Sequence, residues 1–340
     1  MPLVSNSSVD NGVMGYSELS PLNKGNSISC SDTTLGSETM YYQKEDYIGY
    51  QHIQSLVPKF APFSRAIANF IISSAHVSTS NNSYDYGHKF NRDAMKKTKI
   101  LLPLKNGTID FAFIESFITK LESERIEKLS DYLSTNGLDN YILSDEEWNA
   151  INSLNDIEWK EYRIGKLFNK IKTKKLTYKA KELPNEAQGD YDLPCLTSSF
   201  NNQGLNYYVP RIGATVLKDV ITIPQNSDVY RAYYQSSEFT VLSDAYAIDW
   251  KFDDRKLTRE QYLFMVMCIN KVTDLPIYSY KNKLGGWNVV KDKYILLPEK
   301  DGEIDFSFMH TFISALEKLA IKDVVLYTER KIAATKQVVE

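Results

Sequence analysis

Six lysines, Lys170, Lys172, Lys174, Lys175, Lys179 and Lys181, fall within twelve residues that contain no acid. Such a run can neutralise several phosphates and make binding fall steeply with salt; the alternative is a solvated loop. A second group mixes aromatics with hydrogen-bond donors. Tyr278, Tyr280, Lys281, Asn282 and Lys283 stand just ahead of Gly285-Gly286, and Tyr84, Tyr86, His88 and Lys89 form their counterpart upstream. Glycine lets a backbone approach a ligand closely, and Lys and Asn can bond to base edges or phosphates; a polar hairpin is the alternative. A third pair of loops holds Ser5 and Asn6 in one place and Ser198, Ser199, Asn201 and Asn202 in the other. Their short hydroxyl and amide side chains suit DNA contact or an ordinary turn.

Catalytic chemistry finds fewer residues. Glu158-Trp159-Lys160 reproduces the E-x-K fragment of many nucleases, without the upstream Pro-Asp partner. The sequence has no Walker A loop, no GxGxxG and no Asn/Asp-Pro-Pro-Tyr/Phe segment, so ATPase, dinucleotide and amino-methyltransferase readings lack their residues. His52, His76, His88 and His310 show no metal-ligand spacing, and Cys30, Cys195 and Cys268 form no CxxC pair. Neither a metal site nor a disulfide framework is expected. A composition of 43% hydrophobic and 24% charged residues is that of a globular protein. The net charge of −3 excludes a uniformly basic coat, so any phosphate contact must be local. No apolar run reaches the roughly 18 residues that span a bilayer, and no secretory signal is visible. A cytoplasmic setting without membrane contact is expected.

The elements that must carry these groups come in two copies. Residues 101–122 read LLPLKNGTIDFAFIESFITKLE and residues 296–317 read LLPEKDGEIDFSFMHTFISALE, identical at 13 of 22 positions at an offset of 195. A second match, at an offset of 192, aligns residues 1–16 with 193–208, pairing Pro2 with Pro194 and Gly12 with Gly204. Tyr41-Tyr42-Gln43 and Tyr233-Tyr234-Gln235 keep the same spacing. A repeat this long marks two tandem domains rather than a solenoid. Each unit opens with β-like stretches, at 3–8 and 196–199, and 214–224 and 239–250 read as half-buried strands. Short helices are expected at 64–74 and 258–270. A short helix over 145–153, with Ser144 and Glu147 as a capping box, is expected in the connector.

Each unit closes with a turn (Asn106-Gly107, Asp301-Gly302), a capping aspartate (Asp110, Asp305) and a long helix. Ile114, Phe117, Ile118 and Leu121 begin one apolar stripe, and Met309, Phe312, Ile313 and Leu316 begin the other. Helices of ~24 and ~36 residues would extend about 36 and 54 Å. A long stripe is best covered by another, so the two helices are expected to pack on each other; the alternative is that each packs back on its own domain.

Two β-rich units, each followed by a long helix behind an L-P-x-x-x-G-x-I-D-F segment, resemble the specificity (S) subunit of type I restriction–modification systems and the related type IIB-like specificity subunits. Trp159 to Phe168, WKEYRIGKLF, resembles the opening strand and helix of a target-recognition domain. KNKLGGWN (281–288) and GHKFN (87–91) resemble the loop before its final strand. The resemblance implies an α+β fold with two target-recognition domains, at 1–108 and 157–303. It places spacer helices at 109–133 and 304–340, packed as an antiparallel coiled coil, and a connector at 134–156. The first recognition domain has no counterpart of residues 159–192 and is expected to be truncated. The implied function is non-catalytic reading of a bipartite site on double-stranded DNA, with docking of methyltransferase subunits and through them nuclease subunits. S-adenosylmethionine, and ATP with Mg in a type I system, would then be bound by those partners. A different reading is a decoy that binds the methyltransferase without recognising a full site.

Overall fold

In a computed structural model of the chain, the described residues are 1–33, 36–80, 84, 87–199, 201–225, 230–242, 245–275 and 285–339. The chain divides into two compact units, Met1–Thr135 with Tyr327–Glu340, and Asn136–Leu326. The first holds β1 (Pro2–Val4), β2 (Val13–Tyr16), β3 (Ser27–Ser31), β4 (Tyr41–Gln43), β5 (Ile48–Gly49) and β6 (Ile53–Leu56). Then come α1 (Arg65–Thr79), α2 (Arg92–Lys97), β7 (Leu104–Lys105), β8 (Thr108–Ile109) and α3 (Phe111–Thr135). The second begins with α4 (Asp145–Asn152), β9 (Glu158–Arg163), α5 (Ile164–Leu167) and β10 (Phe168–Lys170). It continues through β11 (Tyr191–Leu196), β12 (Leu205–Pro210), β13 (Val220–Pro224), β14 (Tyr233–Gln235), β15 (Thr240–Val241) and β16 (Ala245–Trp250). It ends with α6 (Arg259–Thr273), α7 (Trp287–Val290), β17 (Tyr294–Lys300), β18 (Glu303–Ile304) and the start of α8 (Phe306–Val339), whose residues from Tyr327 onward are grouped with the first unit.

The duplication in sequence is a duplication in topology. Sheet β2-β1-β5 corresponds to β12-β11-β15, and in both the third strand runs parallel to the middle one. Sheet β4-β3-β6 corresponds to β14-β13-β16, and hairpin β7-β8 to β17-β18. The hairpin registers agree residue for residue, Leu104 facing Ile109 as Glu299 faces Ile304. The second unit adds two strands, β10 beside β16 and β9 beside β17. This is a mixed α+β architecture. No helix among the described residues is long and apolar enough to cross a membrane.

Several boundaries differ from the sequence expectation. The helices expected at 64–74 and 258–270 run on to Thr79 and Thr273. Both terminal threonines are buried and bond back to carbonyls four residues earlier, Ala75 O and Ile269 O, so a polar tail does not end the helix. The first strand stops at Val4 rather than Ser8, and the strand expected at 196–199 lies earlier, ending at Leu196. Of 214–224 only Val220–Pro224 is strand, and 239–250 is divided between β15 and β16. The connector helix carries its capping box, Ser144 Oγ accepting from Glu147 N–H and Glu147 from Ser144 N–H. Asp110 and Asp305 cap the long helices by accepting from Phe113 N–H and Phe308 N–H.

The cores show what covers the apolar stripes at their start. Met309, Phe312 and Ile313 are buried in the core of the second unit with Phe264, Ile295 and Leu297. In the first unit Ile114 is buried and Phe117 meets Phe70 of α1 edge-on at 6.2 Å. The opening turns of both helices therefore pack back on their own units, the alternative raised above.

Candidate nucleic-acid interface

The exposed polar loops between β1 and β2 and between β11 and β12 are built alike. In each, three successive residues take left-handed backbone conformations: Asp10, Asn11 and Gly12 (φ 51°, 56°, 75°), and Asn202, Gln203 and Gly204 (φ 48°, 54°, 87°). A Cβ on Gly204 would lie 2.7 Å from Leu196 Cδ1 and 2.9 Å from Thr197 O, so that turn needs glycine for space as well as for φ. Ser5 N–H donates to Gly12 O at 2.8 Å, and Thr197 N–H to Gly204 O at 2.9 Å, which close the two loops.

A buried glutamine holds each loop from below. Gln43 Nε2 donates to Asn11 O at 3.0 Å and to Ser29 Oγ at 3.0 Å. Gln235 Nε2 donates to Gln203 O at 3.2 Å and to Thr222 Oγ1 at 3.1 Å. The tyrosine before each is also anchored, Tyr42 OH donating to Asn26 Oδ1 at 2.9 Å and Tyr234 OH to Asp219 Oδ1 at 2.8 Å. Burial and the Asp219 carboxylate push the Tyr234 phenol up to about 12, so it stays a donor at neutral pH. The repeated Tyr-Tyr-Gln triplet was visible in sequence as a spacing match. Its role as a loop clamp was not, because the acceptors lie far away along the chain.

The clamp fixes which expected contacts face solvent. Asn6 and Asn201 are exposed and their amides have no hydrogen-bond partner among the described residues. Amides of this kind can pair with base edges. Ser5 and Asn202 spend hydrogen bonds on the loop itself, Ser5 Oγ accepting from Ser7 N–H and Asn202 Nδ2 donating to Leu205 O. Ser198 is half-buried beside them. Gln203, exposed at the tip, was not singled out from the sequence.

The lysine run leaves β10 at Lys170 as irregular chain that packs on the unit rather than a free loop. Ile171 packs with Leu196 and Leu205, the residues flanking the polar loop, while Leu176, Tyr178 and Ala180 cover a second core around Leu193 and Val209. With these apolar residues turned inward, Lys170, Lys172, Lys174 and Lys175 are left exposed. Lys170 sits 5.0 Å from the ring of Tyr246, and Lys179 pairs with Glu182 at 3.9 Å. Lys172, Lys174 and Lys175 have no acidic partner among the described residues. Arg211, just past β12, is by contrast neutralised, donating to Asp192 and Glu238 at 2.8 and 2.7 Å.

The remaining candidates divide. Tyr84 is half-buried against Phe90 at 5.0 Å and supports the core of the first unit, with exposed His88 at 4.9 Å from its ring and Lys89 exposed nearby. Tyr86, Tyr278, Tyr280, Lys281, Asn282 and Lys283 lie outside the described residues. The E-x-K fragment is sheet structure, with Lys160 paired to Glu299 at 2.8 Å and Trp159 stacked near Phe264. No group of three metal-ligating side chains is found among the described residues. Burial pushes the thiols of Cys30, Cys195 and Cys268 up to about 12, which removes them as nucleophiles.

A family model for the type I restriction modification DNA specificity domain matches residues 1–131 and again residues 156–327. The chain belongs to that family. The specificity domain is thus present twice, once in each half of the duplication. The chain is 23% identical over 291 residues to the type II restriction enzyme specificity subunit S.BcgI of Heyndrickxia coagulans, covering 85% of this chain and 78% of that one. It resembles the crystal structure of the type I restriction–modification S subunit from M. genitalium with a TM-score of 0.51 and 12% identity, over 99% of this chain and 86% of that one. At that identity the likeness speaks for the fold. Family membership places the chain among the DNA-recognising components of restriction–modification systems.

Proposed function

We propose that this chain is the non-catalytic sequence-reading subunit of a restriction–modification complex. Each unit would read one half of a bipartite site on double-stranded DNA. The observation that carries this is the pair of polar loops, each clamped by a buried glutamine and each presenting exposed amides at a tight left-handed turn. Amides held in fixed positions suit base-edge recognition, while the lysine segment of the second unit suits the phosphate contacts that set position. The long helices α3 and α8, about 38 and 51 Å at 1.5 Å per residue, would pair beyond their opening turns as an antiparallel coiled coil and set the spacer between half-sites. The grouping of Tyr327–Glu340 with the unit that contains α3 supports that pairing. Domain limits of 1–108, 109–133, 134–156, 157–303 and 304–340 follow from this reading. The same helices would dock methyltransferase subunits, which would bind S-adenosylmethionine; nuclease subunits, with ATP and Mg in a type I system, would attach through them. The protein would act in the cytoplasm.

The test is selection from random-sequence duplexes by the chain assembled with a methyltransferase subunit that co-purifies with it. The expected result is two short motifs at a constant separation. Failure of the assembled complex to enrich any split motif would overturn the reading. A second reading is an interaction protein that binds the methyltransferase without recognising a full site. Enrichment of a single undivided motif would favour it.

A further inference from the structure

The first unit has a groove of about 540 Å³ between β4 and α1, beside the clamped loop. Asn11 of that loop, Tyr41, Lys44, Arg65, Asn69 and His76 line it. Its size falls within the range of small-ligand sites. The counterpart face of the second unit is open as well. There the strands at 158–170 pair with β16 and β17, and Tyr233, Leu263 and Asn270 stay half-buried. The two faces differ in chemistry. Aligned on their capped starts, Ser64 and Thr258, α1 has Asn69 and His76 where α6 has Leu263 and Asn270. Asn270 spends its amide on both backbone groups of Ala232, at 2.7 and 3.2 Å. Half-buried Asn69 has no side-chain hydrogen-bond partner among the described residues, and neither has the Tyr41 hydroxyl.

The lining groups divide by chemistry. Tyr41 is an aromatic face at the edge of the loop, where a Cβ on Gly12 would come within 3.3 Å of its ring. Burial and the Glu38 carboxylate hold its phenol above the usual range, so it stays a donor. The Asn69 amide both donates and accepts, as base edges do. His76 Nε2–H donates to Ser37 O, which leaves Nδ1 an acceptor. Lys44 and Arg65 bring positive charge. Their acid partners, Glu45 and Glu122, each at 3.3 Å, are not among the residues lining the groove. We propose that this groove seats a single unstacked nucleotide, with its base on Tyr41 and against Asn69 and its phosphate toward Lys44 and Arg65. The second unit, with Leu263 in place of Asn69 and Ser236 in place of Lys44, has no such seat. The nucleotide comes either from DNA beside the reading loop, as a base turned out of the stack, or free from solution. The first source rests on the function proposed above.

The four deoxynucleoside 5′-monophosphates and deoxyribose 5-phosphate, titrated calorimetrically into the full-length chain, test the seat. At least one nucleotide is expected to saturate a single site, about ten-fold or more tighter than the sugar phosphate. Asn69→Leu, which installs the second unit's residue, should weaken it about ten-fold, the loss of a base-edge pair. Tyr41→Leu should weaken it about five-fold or more, the loss of a stack. Lys44→Ser, at a rim side chain 82% exposed, should make binding weaker and less salt-sensitive, and it serves if either other variant loses helical signal by circular dichroism. Duplexes with one bulged nucleotide separate the two sources. Preference for the bulge over the fully paired duplex, lost in Asn69→Leu, assigns the seat to DNA; nucleotide binding without that preference assigns it to a free nucleotide. Sugar phosphate binding as tightly as every nucleotide overturns the proposal. So does binding indifferent to all three variants, or the absence of both nucleotide binding and bulge preference. Split-motif selection by the assembled complex is measured apart, so its failure with the seat intact refutes only the reading above.

Discussion

The side-chain nitrogens of Gln43 and Gln235 each serve two acceptors in a buried setting, so their removal strands a loop carbonyl and a hydroxyl at once. Gln235→Ala should cost about 1–3 kcal/mol, the penalty of leaving buried polar groups unpaired. It should also blur selection at the half-site read by the second unit and leave the other half-site intact; Gln43→Ala should do the reverse. Thermal melts and random-duplex selection check the two effects, and equal loss at both half-sites would contradict the assignment. The cysteines give a second prediction at this scale. With thiol pKa values raised to about 12 by burial, Cys30, Cys195 and Cys268 should resist a thiol reagent in the native protein and all react after denaturation. Rapid labelling of the native chain would show that a thiol is open. The sequence made the loop residues Asn6 and Asn201 legible as donors. It could not separate them from Ser5 and Asn202, because which groups are spent within a turn depends on its closed geometry.

Among the elements, the lysine segment and helix α4 lend themselves to measurement. Alanine at Lys172, Lys174 and Lys175 together should lower the slope of log affinity against log salt by about 2.7 if each meets one phosphate, and should weaken all DNA sequences alike. A slope left unchanged would return the segment to the role of solvated surface. Helix α4 is tied to α8 by Glu147, which accepts from Lys318 Nζ at 2.8 Å. Burial raises the Glu147 carboxyl pKa, but the Lys318 ammonium and the Ser144 N–H outweigh burial and hold it below the usual 4.5. A depressed carboxylate contributes stability above its ordinary pKa and loses it as pH falls through the folded value. The wild type should therefore exceed Glu147→Gln by about 2 kcal/mol at neutral pH, a charge-assisted bond's worth, and the gap should close as pH falls through the depressed folded value in melts taken across pH. The helix and its capping box were readable from Ser144 and Glu147 alone. The pairing with Lys318 was not, since it joins residues 171 apart in the chain.

For the whole molecule, the duplication carried most of the fold. Corresponding sheets, hairpins and closing helices follow from the repeats at offsets of 192 and 195, whereas strand limits such as 214–224 did not. Those limits were misjudged because β-rich composition also describes irregular chain that packs on a sheet, as residues 214–219 do. If α3 and α8 act as a ruler, seven extra residues in each would lengthen it by about 10 Å. The selected spacer should then grow by about three base pairs, at roughly 3.4 Å per pair along one strand. Mapping of methylated bases checks this, and an unchanged spacer would mean that the helices do not set it.

The glutamine clamps grip main-chain oxygens, Asn11 O and Gln203 O, and no side chain of the loop they secure. Every amino acid brings the same carbonyl to that grip. The lettering of the exposed positions beside the turns, such as Asn6 and Asn201, can accordingly be rewritten while the left-handed turns and their anchorage hold, so a lineage could drift from one target word to another without rebuilding the scaffold beneath.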